Sequence, residues 1–330
     1  MKTIDRKKLM QQTEINIDGN PKVSIIILNW NTTEITCALL RSLKDNLTYS
    51  NIEIIIVDNG SIKNPSTDFL AILDSIKIII NPTNYGFSAG CNIGVKEATG
   101  NYYFFLNSDT EITTGVIESL LSTFFIDKQT GLVSPVINCY NDQQQVEYAG
   151  YTKIHPITGR SKVLTTGIQD LLTHNGLSET VFAYGAAMMI SKEVYDDVGG
   201  LYEPYFAYYE ELDWSNRVRE KGYKIYCNLE AKVFHKGSMS TAKNTPFKTF
   251  LLTRNRMLYM KRNFYGFKYI LFMFYFLLVA SPKNLISYMI SFQFDNFVAY
   301  LKALGCHLRG QSQYIYKTKE ENIVLIRSMN

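Results

Sequence analysis

Three short polar sequences in this chain of 330 residues could bind a nucleotide or a divalent metal ion. They are NWN at 29–31, DNGS at 58–61 and NSD at 107–109, and each follows an apolar run. Carboxylate and amide oxygens are the ligands that hard divalent ions prefer. Asn, Asp and Gly also end strands simply as turn formers, so one such sequence alone predicts only a turn. Three of them at one edge of a sheet indicate a ligand site.

A second group of candidate residues opens a predicted amphipathic helix. It contains Glu210, Glu211 and Asp213. Acidic residues in a first turn complement the helix dipole, and Asp213 is spaced to pair with Arg217, so we expect a structural role for Asp213. Aromatic residues flank the two glutamates, and burial among aromatic residues raises a carboxyl pKa toward that of a general base. Glu210 and Glu211 are therefore candidate catalytic bases.

His235 follows a short apolar run in the sequence KVFHKGSMS. A lone histidine in such a place is usually structural, but imidazole and carboxylate groups both bind divalent ions. Together with Asp109, His235 could complete a metal or diphosphate site. We predict that His155, His174 and His307, which lack comparable surroundings, are surface or packing residues.

Apolar runs that alternate with amphipathic segments predict the elements that position these residues. Strands are predicted at 23–29, 54–57, 77–80, 102–106 and 131–139, and helices at 32–47, 88–98 and 114–125. This alternation predicts an α/β fold, a parallel sheet with helices on both faces and right-handed crossovers. Ligands bind beyond the carboxyl ends of strands in such sheets, where the three polar sequences lie. The turn-rich segment that follows, to about residue 175, could hold a hairpin or a mobile loop over the site.

Several motifs of other protein classes are missing from the sequence. Neither G-x-G-x-x-G after the first strand nor G-x-x-x-x-G-K-[ST] occurs, which argues against dehydrogenases and P-loop proteins. The five cysteines are scattered without a C-x-x-C pair, which argues against a zinc ribbon and fits a reducing cytoplasm. Residues 1–20 lack the apolar core of a signal peptide and are predicted to be a flexible leader.

Charge is distributed unevenly along the chain. Residues 232–330 carry 15 Lys or Arg and 3 Asp or Glu, whereas residues 1–231 carry 19 and 27. A basic, aromatic end favours contact with phosphates or anionic lipid. We disfavour nucleic acid as the partner, because the sequence contains no nucleic-acid-binding motif.

The segment after residue 262 is rich in aromatic and aliphatic side chains. Residues 269–280 contain no charge, but 12 residues are too few to span a bilayer, which needs about 20. One interpretation is a pair of helices packed on the catalytic domain or across a homodimer. The other is an interfacial segment with basic residues at lipid phosphates and aromatic residues at headgroup level. The sequence leaves both open.

Seven motifs occur in an order that resembles glycosyltransferase family 2, specifically its bacterial rhamnosyltransferase-like branch. They are VSIIILNWN, IIIVDNGS, NPTNYGFSAGCNIG, YYFFLNSDT, the long segment YGAAMMISKEVYDDVGGLYEPYFAYYEELDWSNRVREKGY, VFHKGSMS and RNR, over roughly residues 22–265. The resemblance implies a GT-A fold, Rossmann-like with a mostly parallel sheet flanked by helices. The expected domains are a GT-A domain at 21–262, with a nucleotide-sugar half (21–125) and an acceptor half (126–262), and a helical, membrane-associating C-terminal region at 263–330.

The resemblance also implies roles for individual residues. The implied donor-binding residues are Asn29, Asn31, Asp58, Asn84, Gly86, Phe87, Asn107, Ser108 and Asp109, with Asp58 pairing with uracil or thymine. The expected acceptor-binding residues are Tyr184, Gly185, Ala186 and Trp214. His235, Lys236 and Arg254 are expected at the diphosphate, and Asp109 and His235 at a divalent cation, Mg²⁺ or Mn²⁺. Glu211 is the expected base, with Glu210 beside it.

Two positions depart from the family pattern. Asn107 replaces the first carboxylate of the D-x-D motif, so metal binding depends more on Asp109 and on the diphosphate oxygens. Glutamate replaces aspartate at the base position, which adds one methylene and leaves Glu210 or Asp213 as alternative bases.

The implied activity is inverting transfer of a sugar, L-rhamnose from dTDP-rhamnose or otherwise a hexose from a UDP-sugar, to a hydroxyl of a bacterial surface glycan that is lipid-diphosphate-linked. We expect a cytoplasmic enzyme held peripherally on the inner face of the plasma membrane. The alternatives are a sugar nucleotidyltransferase and a catalytically inactive saccharide-binding protein of the same fold.

Overall fold

The structure, a computed structural model, describes residues 4–5, 19–165, 176–237, 245–309, 314–317 and 323–326. Its strands are β1 (Ile4–Asp5), β2 (Val23–Asn29), β3 (Ile52–Asp58), β4 (Ile76–Ile80), β5 (Tyr102–Asn107), β6 (Thr110–Ile112), β7 (Thr130–Cys139), β8 (Val146–Tyr148), β9 (Gly176–Thr180), β10 (Ala187–Ser191), β11 (Lys224–His235), β12 (Tyr314–Lys317) and β13 (Ile323–Ile326). Its helices are α1 (Thr33–Asn46), α2 (Ser66–Leu70), α3 (Phe87–Lys96), α4 (Val116–Ile126), α5 (Lys192–Val198), α6 (Glu210–Glu220), α7 (Pro246–Asn263), α8 (Phe267–Tyr275), α9 (Ser281–Ile290) and α10 (Phe294–Leu308).

The first half of the large sheet is parallel. Strands β4, β3, β2 and β5 lie side by side in that order, so the chain leaves β2 in one direction and later returns to its other side. The crevice between β2 and β5 is the topological switch point, where ligands bind in such sheets. The predicted strands and helices of this half are confirmed, and their continuous apolar runs reflect burial on both faces.

The second half makes the sheet mixed. Strand β10 runs antiparallel between β5 and β7, and β11 is parallel to β7 but antiparallel to β9 and β6. Strand β10 is almost wholly buried, and a buried apolar run does not reveal the direction of its strand. Its antiparallel direction brings the residues that precede it beside the carboxyl end of β5.

Helices cover both faces of the sheet. On one face α1 and α4 bury leucines, among them Leu39, Leu40 and Leu120, against β2, β5 and β7. On the other face α3, α5 and α6 pack through Cys91, Val194 and Val218. Since both faces are covered, polar side chains cluster at the strand ends.

The C-terminal region contains one continuous helical rod. Helix α8, a π-helical turn at Phe276–Ala280 and α9 together run from Phe267 to Ile290, although Pro282 lies within them. Proline lacks an N–H donor and clashes with the carbonyl four residues earlier, and the wider π turn just before it accommodates both defects. These 24 residues are long and apolar enough to cross a membrane by length and composition, whereas the sequence pattern predicted a shorter segment.

The domain division remains a prediction, but two details of it can be placed. Helix α7 ends at Asn263, beside the predicted boundary after residue 262, and the paired strands β12 and β13 mean that the C-terminal region is not wholly helical. Most of the predicted leader and His174 lie outside the described residues. Within the leader, Ile4–Asp5 pairs with β9.

Candidate active site

One cavity of about 440 Å³ lies at the carboxyl ends of β2 and β5, next to the residues that precede β10. Twelve of the predicted site residues line it: Asn84, Gly86, Phe87, Asn107, Ser108, Asp109, Tyr184, Gly185, Ala186, Glu210, Glu211 and His235. The six that do not line it are Asn29, Asn31, Asp58, Trp214, Lys236 and Arg254. Other lining residues that the sequence analysis missed include Asn59, Glu147 and Lys248.

Asp58 and Asn29 bind each other below the cavity. Asp58 Oδ1 accepts hydrogen bonds from Asn29 Nδ2 at 2.6 Å and Ser61 Oγ at 2.6 Å, and Oδ2 accepts from the Ser61 amide at 3.0 Å. The two side chains are 1% and 0% exposed. Asn31 has a positive φ of 54°, and its side chain accepts from the Ile62 amide at 2.9 Å. These residues hold the strand ends together, which does not support the predicted direct contacts with the nucleotide.

Amide side chains form the floor of the cavity instead. Asn59 Nδ2 donates to Asn84 Oδ1 at 2.8 Å and to the Gly86 carbonyl at 3.0 Å, and Asn84 Oδ1 also accepts from the Gly86 amide. Gly86 has a φ of 89°, and a Cβ there would stand 2.6 Å from Phe206. Only glycine fits this position, so the backbone can lie flat along the cavity.

Sheet register brings Asp109 and His235 together. Thr110, which follows Asp109, pairs with His235 between β6 and β11, and the Lys236 amide donates to the Asp109 carbonyl at 2.8 Å. His235 Nε2 then lies 3.3 Å from Asp109 Oδ1. The predicted proximity of these two residues is therefore present in the structure.

Glu147 contacts the other side of His235. Its Oε2 lies 2.9 Å from His235 Nδ1, and its Oε1 accepts a hydrogen bond from the Tyr184 hydroxyl at 2.5 Å. Glu147 is not predicted from the sequence because it lies in a polar stretch with weak periodicity. The available signal was the alternation of Val146, Glu147 and Tyr148, which is a three-residue strand with one polar face.

Charges around His235 shift its proton affinity. Burial lowers the pKa of His235, but hydrogen bonds to Asp109 and Glu147 outweigh burial and raise the pKa to about 9. Burial raises the pKa of Glu147, yet hydrogen bonds from His235 and Tyr184 lower it overall. Glu147 is therefore an ionised acceptor.

Asp109 and His235 fit a divalent cation site in which the protein supplies two ligands and a bound molecule supplies further oxygen ligands. Among the described residues, no group of three or more His, Cys, Asp or Glu side chains is arranged to hold a metal ion alone. Asp109 and His235 offer an oxygen and a nitrogen 3.3 Å apart, close to the separation of about 3 Å between neighbouring ligands of an octahedral ion with bonds of 2.1 Å. The remaining ligands must come from a bound diphosphate or water.

A strained turn precedes the two glutamates that line the same cavity. Phe206, Tyr208 and Tyr209 all have positive φ, between 67° and 76°, directly before α6. Such conformations cost about 1–3 kcal/mol each for residues other than glycine and persist only where surrounding contacts hold them. Asn255 Nδ2 donates to the carbonyls of Tyr205, Ala207 and Tyr208 at 2.7–2.9 Å, which fixes the turn.

Burial raises the pKa of both glutamates. Burial raises the pKa of Glu211 to about 7. Burial, together with the nearby charge of Glu211, raises the pKa of Glu210 well above its ordinary value. Within the described part of the chain, Oε2 of each is buried without a hydrogen-bond partner. A buried carboxylate that lines a cavity and has one oxygen without a partner is suited to general-base chemistry.

Asp213 has the structural role that the sequence predicted. It is 1% exposed, and its oxygens accept from Tyr205, Arg217, Arg262 and Asn263. The ion pair with Arg217 is present at 3.2 Å. Asp213 therefore anchors α6 to α7 and is not an alternative base.

Three further predicted residues lie away from the cavity. Trp214 is fully buried against Phe105, and its Nε1 donates to the Gly199 carbonyl at 2.8 Å. Lys236 forms an ion pair with Glu111 at 2.8 Å. Arg254 is 4% exposed and donates to the carbonyls of the segment before α6. These placements do not support acceptor binding by Trp214 or diphosphate binding by Lys236 and Arg254.

Lys248 is the one Lys or Arg among the cavity-lining residues of the described chain. Its Nζ lies 5.4 Å from the centre of the Tyr208 ring. Lys248 is not predicted from the sequence, because nothing in the chain order indicates that the start of α7 borders the cavity.

Comparison with known proteins identifies the family of this chain. The family model for glycosyl transferase family 2 matches residues 24–199, more than half of the chain. The chain belongs to glycosyl transferase family 2. It is therefore a glycosyltransferase, as the motif order predicted, and the nucleotidyltransferase alternative is not supported.

Three curated relatives of this family 2 chain illustrate the range of matches. It is 28% identical over 249 residues to the low-salt glycan biosynthesis hexosyltransferase Agl10 of Haloferax volcanii (72% of this chain, 74% of the relative). It is 24% identical over 269 residues to the dTDP-rhamnosyl transferase RfbF of Shigella flexneri (76% and 86%). It is 25% identical over 260 residues to an uncharacterized protein of Sinorhizobium fredii, covering 74% of this chain and only 28% of that relative's length.

Solved structures show that the fold is GT-A. GalNAc-T7 with UDP, GalNAc and Mn²⁺ superimposes with a TM-score of 0.56 at 16% identity, covering 65% of this chain and 43% of that one. The mannosyltransferase PcManGT of Pyrobaculum calidifontis, in complex with GDP-Man and Mn²⁺, superimposes with a TM-score of 0.52 at 13% identity, covering 93% and 82%.

Proposed function

We propose that this family 2 enzyme is an inverting, metal-dependent glycosyltransferase that moves a sugar from a nucleoside-diphosphate donor to a hydroxyl of a lipid-linked bacterial surface glycan. One observation carries the proposal. The same cavity is lined both by a carboxylate and an imidazole suited to a cation and by two buried glutamates of raised pKa. Sugar transfer needs both functions, one for the leaving diphosphate and one for the acceptor hydroxyl.

The preferred donor is dTDP-L-rhamnose, and a UDP-hexose is the alternative. The likeness to a dTDP-rhamnosyl transferase supports the first, and the likeness to a hexosyltransferase supports the second. We assign the nucleoside and sugar to the cavity floor, because the Asp58 carboxylate already accepts hydrogen bonds from Asn29 and Ser61. The floor is formed by Asn59, Asn84, Gly86 and Phe87.

Asp109 and His235 would hold the cation, Mg²⁺ or Mn²⁺, with Asn107 and Ser108 beside them. When bound, the ion supplies positive charge that stabilises the departing nucleoside diphosphate. Two structurally similar proteins were solved with Mn²⁺ and a nucleotide or nucleotide sugar, which supports a divalent cation here. Lys248 would add a second positive charge near the diphosphate in place of Lys236 and Arg254.

Glu211 is the proposed base. Its pKa of about 7 keeps a large fraction ionised at neutral pH, whereas that of Glu210 is raised further. Glu211 accepts the proton of the acceptor hydroxyl while the new bond from that oxygen to the anomeric carbon forms. The bond from the anomeric carbon to the diphosphate oxygen breaks on the opposite face, which inverts the configuration.

The acceptor would approach past Tyr184, Gly185 and Ala186 from the membrane side. Eight side chains on the outer face of the helical rod are exposed: Phe267, Ile270, Phe274, Leu278, Val279, Ile286, Met289 and Ile290. Its inner face is packed on the protein through Phe272, Phe276 and Ala280. A helix with one face packed on protein and basic residues around it fits an interfacial position better than a bilayer crossing.

Donor binding tests the catalytic part of the proposal. Thermal unfolding of the protein is measured with dTDP-rhamnose, UDP-glucose, UDP-galactose and UDP-N-acetylhexosamines, each with Mn²⁺ and with EDTA. We expect one donor to raise the melting temperature only when Mn²⁺ is present. Absence of stabilisation by any nucleotide sugar would favour the inactive saccharide-binding alternative.

Vesicle binding tests the membrane part. We expect the protein to co-sediment with phosphatidylglycerol vesicles and Ile290→Glu to reduce that binding. Ile62→Glu is a matched control, because both isoleucines are 73% exposed and Ile62 lies outside the helical rod. Equal binding of the two variants, or a stable dimer that buries the rod, would contradict membrane contact.

A further inference from the structure

Glu147 and His235 meet across one strand of the sheet. Both β8 and β11 pair with β7, on opposite sides of it, and the two side chains reach over β7 to a separation of 2.9 Å. The Glu147 side chain is 28% exposed and that of His235 is 10% exposed. Glu147 is thus held at the rim of the cavity rather than in open solvent.

The hydrogen bonds define which nitrogen of His235 faces the cavity ligand. His235 Nδ1 lies 2.9 Å from Glu147 Oε2. Nε2 is then the nitrogen directed toward Asp109. A carboxylate bound to the far nitrogen of a metal-ligating histidine fixes the ring and increases its basicity.

We propose that Glu147 is the positioning residue of the cation site, holding His235 with Nε2 facing Asp109 and supplying the second negative charge that Asn107 does not. This rests on the proposed function, since it assumes a cation bound with the donor diphosphate. The D-x-D position contributes one carboxylate here, and the other comes from a different strand. Among the acidic residues that line the cavity in the described structure, Glu147 is the one that contacts Nδ1 of His235, whereas Asp109 faces Nε2.

The same carboxylate also binds a residue that we assign to the acceptor. Glu147 Oε1 accepts from the Tyr184 hydroxyl, and the Tyr184 ring meets the His235 ring edge-on at 6.3 Å between centroids. Tyr184 in turn packs on Tyr148, with ring centroids 4.9 Å apart. Removing the Glu147 carboxylate therefore removes one hydrogen bond from Tyr184 and one from His235.

The experiment compares Glu147→Gln and Glu147→Ala with wild type and with Glu111→Gln. Glu111 is a close match: its side chain is 27% exposed and ion-paired, on the strand next to His235. Mn²⁺ binding is measured by electron paramagnetic resonance in the presence of UDP and, separately, dTDP. UDP binding in EDTA and thermal unfolding are measured on the same samples, to verify the fold.

We expect Glu147→Ala to weaken Mn²⁺ binding about tenfold to a hundredfold, the usual effect of losing such a partner. Glu147→Gln, which keeps the shape but loses the charge, should show part of that loss, and Glu111→Gln should stay within twofold of wild type. UDP affinity in EDTA should be unchanged.

Two results overturn the inference in different ways. If wild type binds Mn²⁺ with nucleotide and both Glu147 variants bind it within twofold of wild type, Glu147 has no positioning role and the proposed function stands. If wild type binds no Mn²⁺ with either nucleotide, the metal-dependent function fails as well. Should the alanine variant not fold, the glutamine variant decides by the same twofold criterion.

Discussion

Glu211 lies against the backbone of Gly185. A Cβ added at Gly185 would stand 3.6 Å from both Cβ and Cγ of Glu211, which is ordinary van der Waals contact. Gly185 belongs to the short turn between Tyr184 and Ala187 that leads into β10. The glutamate proposed as base therefore faces bare backbone on the side assigned to the acceptor.

Gly185→Ala should impair acceptor binding without impairing the fold. The added methyl group makes only ordinary contacts, but it occupies space beside Glu211 where the acceptor hydroxyl must lie. We expect the acceptor KM to rise about tenfold, within the usual range for one methyl group in a binding site, with donor affinity unchanged. Gly305→Ala in α10, where a Cβ meets nothing within 4 Å, is the control. An unchanged acceptor KM would argue against this path for the acceptor.

Glu211→Gln should stabilise the protein at high pH. Burial raises the folded-state pKa of Glu211 from 4.5 to about 7, so ionisation costs more in the folded than in the unfolded state. Wild type then loses stability as the pH rises from 4.5 through 7, and glutamine has no charge to bury. The free energy of unfolding of the variant should exceed that of wild type by up to about 3 kcal/mol at pH 8 and match it at pH 4. Urea unfolding at both pH values checks this, and a variant less stable than wild type at pH 8 would contradict it.

Lys248 and Lys236 make a matched pair of lysines. Each ammonium lies over a tyrosine ring, at 5.4 Å from Tyr208 and 4.7 Å from Tyr140, but only Lys248 lines the cavity. Lys248→Ala should weaken UDP binding at least tenfold, because a charge-assisted hydrogen bond contributes about 1.5–3 kcal/mol. Lys236→Ala should stay within twofold, as calorimetry can determine. The reverse order of effects would restore the sequence-based assignment to Lys236.

Asn107→Asp should change how metal binding depends on nucleotide. Wild type has one carboxylate at the D-x-D position, so we expect weak Mn²⁺ binding until a diphosphate adds oxygen ligands. A second carboxylate should strengthen Mn²⁺ binding without nucleotide by about tenfold or more, since oxygen ligands and negative charge are what such ions require. Tight Mn²⁺ binding by wild type without nucleotide, measured by calorimetry, would contradict this.

Many of the strands and helices in the predicted nucleotide-sugar half, residues 21–125, could be predicted from the sequence. The run VSIIILN is strand β2 over its whole length, because a strand buried on both faces needs an unbroken apolar run. The NSD sequence lies at the end of β5, as predicted. The family motifs pointed to His235, Glu210 and Glu211, and all three line the cavity.

What the sequence did not reveal depends on contacts between distant segments. Arg254 lies in the RNR motif and looked suited to a phosphate, yet its guanidinium binds the carbonyls of Pro204 and Tyr205. The turn after those carbonyls has positive φ at Phe206, Tyr208 and Tyr209, which residue preferences do not predict. Likewise the Asp58 carboxylate was expected to bind the nucleotide base, but it accepts hydrogen bonds from the hydroxyl and amide of Ser61, three residues later.

Turnover by Glu211→Gln tests the proposed catalytic role of Glu211 most directly. Transfer from the donor identified by binding is measured for wild type and variant between pH 5.5 and about pH 9, with donor affinity measured on the same samples. We expect kcat of the variant to fall about 10²–10⁴-fold with donor affinity unchanged, and the wild-type rate to rise about tenfold per pH unit until near pH 7. Turnover of the variant within tenfold of wild type would contradict the claim that Glu211 is the base of a sugar transfer.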